Sequence, residues 1–413
     1  MNQGRGAGVL IVGGGIGGLT LALELHRLGV ACTVYEAAPE IRPLGVGVNL
    51  LPHSTQALAG LGLGPALARC AVETAESHFY NRFGQRIYRE PLGRAAGYEH
   101  PQFSIHRADL HEVLTGAVRE RLGAGALRLG HKLVAFEQGE AGIRAVFEGG
   151  ASAAGGALIG CDGIHSAVRR QLVPDEGEPR YSGVNMWRGV TRWPPFLSGA
   201  AMVRVGWLAT GKMVIYPVRN RIDDAGRQLV NWVFEIETPR HEGWDWNRPA
   251  RVEDFIGAIA DWHFDWLDAP ALVRNADFVL EFPMVDKDPL QRWSFGRATL
   301  LGDAAHPMVP RGSNGAGQAI LDARALAEAL ARTADVPSAL ADYEARRRQP
   351  TADVVLRNRS NPPDAILRVV YERTGDRPFA RIEDVISEGE LREISDGYKR
   401  VAGYDPASLR RPG

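Results

Sequence analysis

The sequence predicts an α/β protein: a parallel-sheet domain with crossover helices, interrupted by an antiparallel β-sheet domain and followed by a C-terminal helical segment. Three observations predict it. The first 36 residues run strand, glycine turn, helix, strand, which is the order of a βαβ unit. Short apolar runs ending in glycine return at 158–160 and 299–302, as further strands of the same sheet would. Between about 181 and 285 the texture turns to strand-like segments rich in aromatic residues, and eight of the nine tryptophans fall there.

Residues 9–12 are a continuous apolar run, as expected of a parallel strand buried on both faces. From 16 to 28, Leu21, Leu25 and Leu28 recur at helical spacing, and Gly29 is placed to end the helix. Residues 32–36 return as a second strand. Segments 53–70, 107–122, 314–333 and 337–348 read as helices, and 212–218 and 229–235 as strands of the aromatic-rich domain. Beyond about residue 350 the chain reads as a polar, helix-compatible tail with little chemistry. The implied division is 1–75, 101–180 and 286–355 for the first domain, 76–100 and 181–285 for the second, and 356–413 for the tail.

Composition narrows the functional classes. Lys and Arg number 48 against 49 Asp and Glu, a net charge of -1, so there is no basic surplus for a nucleic-acid partner. Glycine is high, 48 of 413 residues or roughly 12% against about 7% on average, which suits tight turns and close backbone approach to a ligand. Cys32, Cys70 and Cys161 are odd in number and widely spaced, so neither a disulfide framework nor a CxxC metal site is available. That fits a reducing cytoplasm. No run is long enough to span a membrane, and the apolar run after Arg5 enters Gly13-Gly14-Gly15 where a signal peptide would reach a cleavage site. His100, His106 and His111 lack short metal-ligand spacings, so no metal is expected.

Gly13-x-Gly15-x-x-Gly18 matches the dinucleotide fingerprint, with a strand before it and a helix after it. The first glycine makes the turn, the second admits the pyrophosphate to backbone N–H groups, and the third lets helix and strand pack closely. The helix dipole favours the phosphates there. Glu36 closes the second strand 18 residues after Gly18, where a carboxylate accepts from ribose hydroxyls. This motif serves NAD and FAD alike. Two distant motifs bear on the choice: Asp162-Gly163 after one strand, and Gly302-Asp303 after another, leading into Gly312-Ser313-Asn314-Gly315-Ala316-Gly317 and a helix. Asp303 presents a carboxylate suited to a polyol chain, and the glycines let backbone lie against a flat ring.

With these motifs in this order, and with Arg107 in Ser104-Ile105-His106-Arg107-Ala108-Asp109-Leu110, the chain resembles the single-component FAD-dependent aromatic hydroxylases related to p-hydroxybenzoate hydroxylase, nearly throughout to about residue 355. The segments 41–47, 186–190 and 282–286 look most like phenazine-hydroxylating members of that family. The resemblance implies a Rossmann-like FAD-binding domain with an inserted substrate domain. It assigns Gly13, Gly15, Ile16, Gly17, Gly18, Glu36 and Ala37 to the ADP half of FAD, and Arg107 to the pyrophosphate and ribityl region. Asp162 and Gly163 would serve near the pyrophosphate and the reduced nicotinamide, and Asp303 at the ribityl or pyrophosphate portion. Gly315 and Ala316 would contact the isoalloxazine, Gly47, Val48 and Val134 would complete the cofactor set, and Pro310 would sit over the ring near the substrate. The chemistry implied is NAD(P)H-dependent delivery of oxygen from O2, through a flavin C4a-hydroperoxide, to an aromatic or N-heteroaromatic small molecule. Phenazine-type and carboxylated substrates are among the candidates. An aromatic-rich sheet over the flavin would exclude water and orient the substrate ring.

The residue readings beside this leave alternatives open. Tyr216 either aims its phenol at a substrate or is a packed core tyrosine. Arg188 either meets a carboxylate or gates the flavin, or is a surface or structural arginine. His306 reads as structural ahead of acid–base work. No charged or phenolic group for a substrate carboxylate stands out, which leaves the substrate open. Only one GxGxxG is present, so the nicotinamide is expected to reach a flavin that swings toward solvent, with Arg42 and Pro310 as sensitive positions. Trp244-x-Trp246 resembles part of a flavin-halogenase signature, but Arg248 breaks it and sheet packing is the expected role. An oxidase or reductase without oxygen insertion, or a non-catalytic redox sensor, is the alternative function. The protein is expected as a monomer or homodimer.

Overall fold

A computed structural model describes residues 8–41, 45–239 and 248–409. Its first layer is a parallel five-stranded sheet in the order Ala298–Leu300, Ala157–Gly160, Val9–Val12, Cys32–Tyr35, Leu127–Arg128. Val9–Val12 lies at the centre and is buried along its whole length, as its unbroken apolar run requires. The helix Ile16–Arg27 follows and stops at Leu28, with Gly29 left-handed at φ 72°. It packs against the helices Gly315–Arg332 and Arg107–Leu122 in one core.

Two helices differ from the sequence expectation. The segment 53–70 is two helices, Pro52–Gly60 and Gly64–Cys70. Gly62 takes φ +73° between them, and Pro65 lies at the start of the second helix, where its missing N–H is harmless. Conversely, the helix expected to end at 348 runs as Val336–Ser360 straight through Pro350. There the Thr351 hydroxyl donates to the carbonyls of Arg347 (2.9 Å) and Arg348 (3.1 Å), and Val354 and Val355 are buried beyond the proline.

The second layer is an eight-stranded sheet in the order Arg248–Pro249, Ala276–Asp286, Arg180–Trp193, Gln228–Glu237, Gly211–Arg219, Ala201–Trp207, Glu76–Tyr80, Arg86–Pro91. It is antiparallel except where Ala201–Trp207 pairs in parallel with Glu76–Tyr80, the hairpin strand contributed from earlier in the chain. Because side chains alternate across a strand, its two faces differ sharply. Trp187, Trp232, Phe234 and Val203 point to the outer face, where they pack with Phe255, Ile259 and Trp262. The inner face carries Arg188, Asn231, Tyr216, Arg204, Lys212 and Glu235, as the pairs Val190↔Asn231, Tyr216↔Asn231 and Lys212↔Glu235 require. The tryptophans expected to wall the ligand therefore build a core behind the sheet. Trp244 and Trp246 lie outside the described residues.

The tail is also more than a plain helical appendage. Ile366, Leu367 and Val370 of the helix Ala365–Thr374, with Ile386 and Leu391, bury Phe79 and Ile87 of the sheet. The helix Glu388–Ala402 begins with a Ser387/Glu390 capping box and carries the buried Tyr398. Among the described residues no helix is long and apolar enough to cross a membrane, and no cluster of three metal-ligating side chains occurs.

Candidate functional site

The glycine turn is shaped by close contacts on all sides but one. Gly13 takes φ +108°, and a Cβ there would lie 2.4 Å from the Cys161 carbonyl oxygen. At Gly18 it would lie 2.0 Å from the Gly13 oxygen, and at Gly17 it would lie 2.8 Å from Leu301 Cδ2. Gly17 is thus a packing glycine, pressed against the strand end that leads into Asp303. Gly15 alone of this set meets nothing within 4 Å, which leaves open space at the positive end of the helix that Ile16 opens. The Glu36 carboxylate accepts from Gly14 N (2.7 Å) and Ala38 N (2.8 Å), which fixes it beside the turn with lone pairs left for a ribose. Ala37 is exposed next to it. His111 Nε2 donates to the Gly14 carbonyl (2.7 Å) and braces the turn from the helix Arg107–Leu122. The sequence reading missed that role because His111 was weighed only as a metal ligand.

Arg107 begins that helix with an exposed side chain, and its N–H donates to the Val46 carbonyl (3.0 Å). It thereby joins the glycine turn to the strand Gly47–Leu50, where Val48 is half-buried. Asp162 makes a set of local structural bonds. Its carboxylate accepts from Ser166 Oγ (2.5 Å), Ala167 N (2.7 Å) and Val168 N (3.3 Å), capping the helix Ala167–Leu172. Burial raises its pKa in spite of these bonds. Gly163 beside it is left-handed at φ +76° with open space around it. Asp303 is exposed on the turn after Ala298–Leu300, and Gly315 and Ala316 open the helix Gly315–Arg332 within reach of it, a Cβ at Gly315 being 3.9 Å from Asp303 Oδ1. Val134 stands apart, 60% exposed on Leu133–Gln138 in a separate three-stranded sheet. Arg42 lies outside the described residues.

At the other end, the inner face of the eight-stranded sheet closes on Gly47. Gly47 N donates to Asn231 Oδ1 (2.6 Å), and Arg188 Nη2 donates to the Gly47 carbonyl (2.9 Å). A Cβ on Gly47 would lie 2.7 Å from both Asn231 Cγ and Tyr216 Cε2. Arg188 is therefore neither a surface residue nor free, and Tyr216 is a buried member of the same cluster. Burial raises Tyr216, against the pull of Arg188 and of hydrogen bonds to Arg188 and Asn49. Burial likewise lowers Arg188, against the pull of Tyr216. Arg188 Nε and Asn231 Nδ2 are buried without a hydrogen-bond partner. Unpaired buried donors cost about 1–3 kcal/mol each, and these two lie side by side against the glycine strand. Pro310 is exposed on the loop above, anchored by the preceding Val309, which packs against Val233 and Phe282 of the same inner face.

A buried ionic group lies beside this cluster. Lys212 pairs with Glu235 (2.9 Å) and with Asp364, and Asp364 also pairs with Arg204 (3.0 Å), whose Nη1 donates to Ser77 Oγ (2.7 Å). Burial alone would raise Asp364, but Lys212 and Arg204 outweigh it and hold the carboxylate below its ordinary range. Within this group two cations meet two carboxylates, and Glu90, also buried, lines the same face beside Ser77. Arg204 also lines a cavity with Ser77, Gly312, Ser313, Lys399 and Tyr404. His306 sits apart from it, bonded to the buried Asp322 (2.5 Å), which also holds Arg347 (2.7 Å), a structural triad as expected.

A glycine turn with one open side, a fixed acid at the ribose position and a free helix start at Gly315 fit an extended dinucleotide running toward Gly47. The chain belongs to the FAD binding domain family, whose model matches residues 7–358. Within it the protein is an FAD-dependent monooxygenase. It is 42% identical to the phenazine 1,6-dicarboxylic acid hydroxylase PhzS of Lysobacter antibioticus, over 95% of this chain and 96% of that one. It is 37% identical to a 3-amino-4-hydroxybenzoate 2-monooxygenase of Streptomyces platensis, over 97% of each. The solved structure of a Klebsiella pneumoniae HpxO variant complexed with FAD superposes with a TM-score of 0.80 at 25% identity, covering 97% of this chain and all of that one.

Proposed function

We propose that the protein hydroxylates a carboxylated aromatic or N-heteroaromatic small molecule, of the phenazine type, using NADH or NADPH and O2. The observation that carries the substrate class is the inner face of the sheet, where the buried cation Arg188 keeps Nε unpaired beside the unpaired Nδ2 of Asn231. The 42% identity to a phenazine dicarboxylate hydroxylase supports the same class. FAD, when bound, supplies the activation of O2. Glu36 and the turn at Gly15 hold the nucleotide end, and Gly315 and Ala316 offer N–H groups to the flavin end. Arg188 and Asn231 bind and orient an anionic ring, and the Tyr216 phenol, kept protonated by burial, donates to it or holds a substrate hydroxyl in place. Val233, Phe282, Met186 and Val309 form the apolar patch beside them that keeps water out. An oxidase or sensor role is not favoured, since the relatives above are named as a hydroxylase and a monooxygenase. Free cysteines at 32, 70 and 161 support a cytoplasmic site of action.

Spectral titration of the FAD-loaded protein tests the substrate class. A phenazine carboxylate is expected to perturb the flavin band at concentrations at least about tenfold lower than phenazine itself, and Arg188→Met to abolish that preference. Equal affinity for the neutral and the carboxylated ring would refute it.

A further inference from the structure

The glycine run that opens the helix Gly315–Arg332 is gripped from the tail. Asn314 precedes this helix, yet its side chain does not cap it. Instead its Oδ1 accepts from His53 Nε2 (3.2 Å) and Gln318 Nε2 (3.3 Å), and its Nδ2 donates to the Tyr398 hydroxyl (3.1 Å). Tyr398 in turn donates to Asn358 Oδ1 (2.7 Å). Asn314 and Tyr398 are each 1% exposed, so every one of these bonds is made away from water.

The backbone beside them is held in an unusual form. Gly312 takes φ +91° and the following Ser313 takes φ +57°. A side-chain residue stays in that region only where its surroundings over-determine it. The Asn49 side chain donates to Ser313 Oγ (3.4 Å), and Gly312 is pressed against the phenol, where a Cβ would lie 1.9 Å from the Tyr398 oxygen. Tyr398 belongs to the helix Glu388–Ala402, beyond residue 358 where the family match ends.

We propose that Tyr398 is a positioning residue for the flavin site: through Asn314 it sets the turn 312–316, and so the N–H groups that Gly315 and Ala316 present to the isoalloxazine, without touching the cofactor. This rests on the reading that Gly315 and Ala316 face the flavin. It gives the C-terminal tail a direct part in cofactor geometry, besides its part in packing.

The test compares Tyr398→Phe, Asn314→Ala, their double variant and Gly315→Val by FAD affinity, from the quenching of flavin fluorescence, and by the position of the bound flavin's visible band. Tyr398→Phe keeps the ring and removes only the hydroxyl. It is expected to weaken FAD binding about tenfold, equivalent to about 1.4 kcal/mol, and to shift the band. Adding it to Asn314→Ala is expected to change little more, because the two act as one unit. Additive effects in the double variant would overturn the proposal, since the hydroxyl would then act on the flavin by a route other than Asn314. Wild-type affinity and spectrum in Tyr398→Phe, with both altered in Gly315→Val, would overturn the positioning role and leave the loop reading standing. An unaltered Gly315→Val would remove the loop reading and the proposal with it.

Discussion

Asp364 is the residue through which the tail is tied electrostatically to the sheet, and its removal has a calculable consequence. In Asp364→Asn, Lys212 keeps Glu235 at 2.9 Å, but Arg204 loses its carboxylate and keeps Ser77 and the face of the Phe79 ring. Arg204 is 9% exposed and Lys212 1%, so water cannot take over the pairing. Breaking a buried pair from one side costs about 3–5 kcal/mol, because the remaining charge is left uncompensated. At about 2 °C per kcal/mol for a large domain, the melting temperature falls by on the order of 6–10 °C. The sign with pH follows from the direction of the shift. The folded-state pKa of Asp364 is depressed, so its contribution is complete above the unfolded value of about 3.9 and is lost as pH falls through the lower folded value. The difference between wild type and Asp364→Asn, followed by thermal melting, is therefore constant from pH 8 to about pH 5 and shrinks only below about pH 4. A deficit of less than about 1 kcal/mol at pH 7, or one that shrinks between pH 8 and pH 6, would refute the reasoning.

Glu36→Ala removes the acceptor of Gly14 N and Ala38 N as well as the ribose contact, and FAD affinity, read by fluorescence quenching, falls about 10- to 100-fold. Gly47→Ala forces a methyl to within 2.7 Å of Asn231 and Tyr216, an overpacking worth about 1–3 kcal/mol, and lowers both melting temperature and flavin occupancy. Burial keeps the Tyr216 phenol protonated through neutral pH, so Tyr216→Phe lowers coupling of NAD(P)H oxidation to product, while any limb of the pH–rate profile between pH 6 and 8 stays where it is. Disappearance of that limb in Tyr216→Phe would assign it to the phenol and contradict the direction of the shift.

The nucleotide end of the site was legible because its constraints are local. Gly13, Gly15, Gly18 and Glu36 fall within one βαβ unit, and the approach of Gly18 to Gly13 and the bonds of Glu36 to Gly14 and Ala38 lie inside it, although Gly13 also presses on the distant Cys161. The cluster proposed here for the substrate was not legible in the same way. Tyr216 and Arg188 stood out, but their partner Asn231 is fixed by cross-strand register, and period-2 alternation alone does not say which face looks inward. That ambiguity is why the tryptophans were expected at the ligand, although they pack behind the sheet. The contribution of the tail was hidden for another reason. Asp364 and Tyr398 look like ordinary polar residues on a helical segment, and they acquire roles only by docking on Lys212 and Asn314, 152 and 84 residues away. The helix expected to end at 348 carries on through Pro350 because Thr351 re-satisfies the carbonyls there and the valines beyond it are buried.

The central claim is most directly tested by the stoichiometry of a single turnover. The FAD-loaded protein is reduced anaerobically by NADH or NADPH with and without a phenazine carboxylate, then mixed with O2, and product and H2O2 are quantified per flavin. The account predicts faster reduction with the ligand bound and close to one hydroxylated product per flavin, with little H2O2. Reduction indifferent to the ligand, followed by one H2O2 per flavin and no hydroxylated product with any aromatic acid, would contradict it.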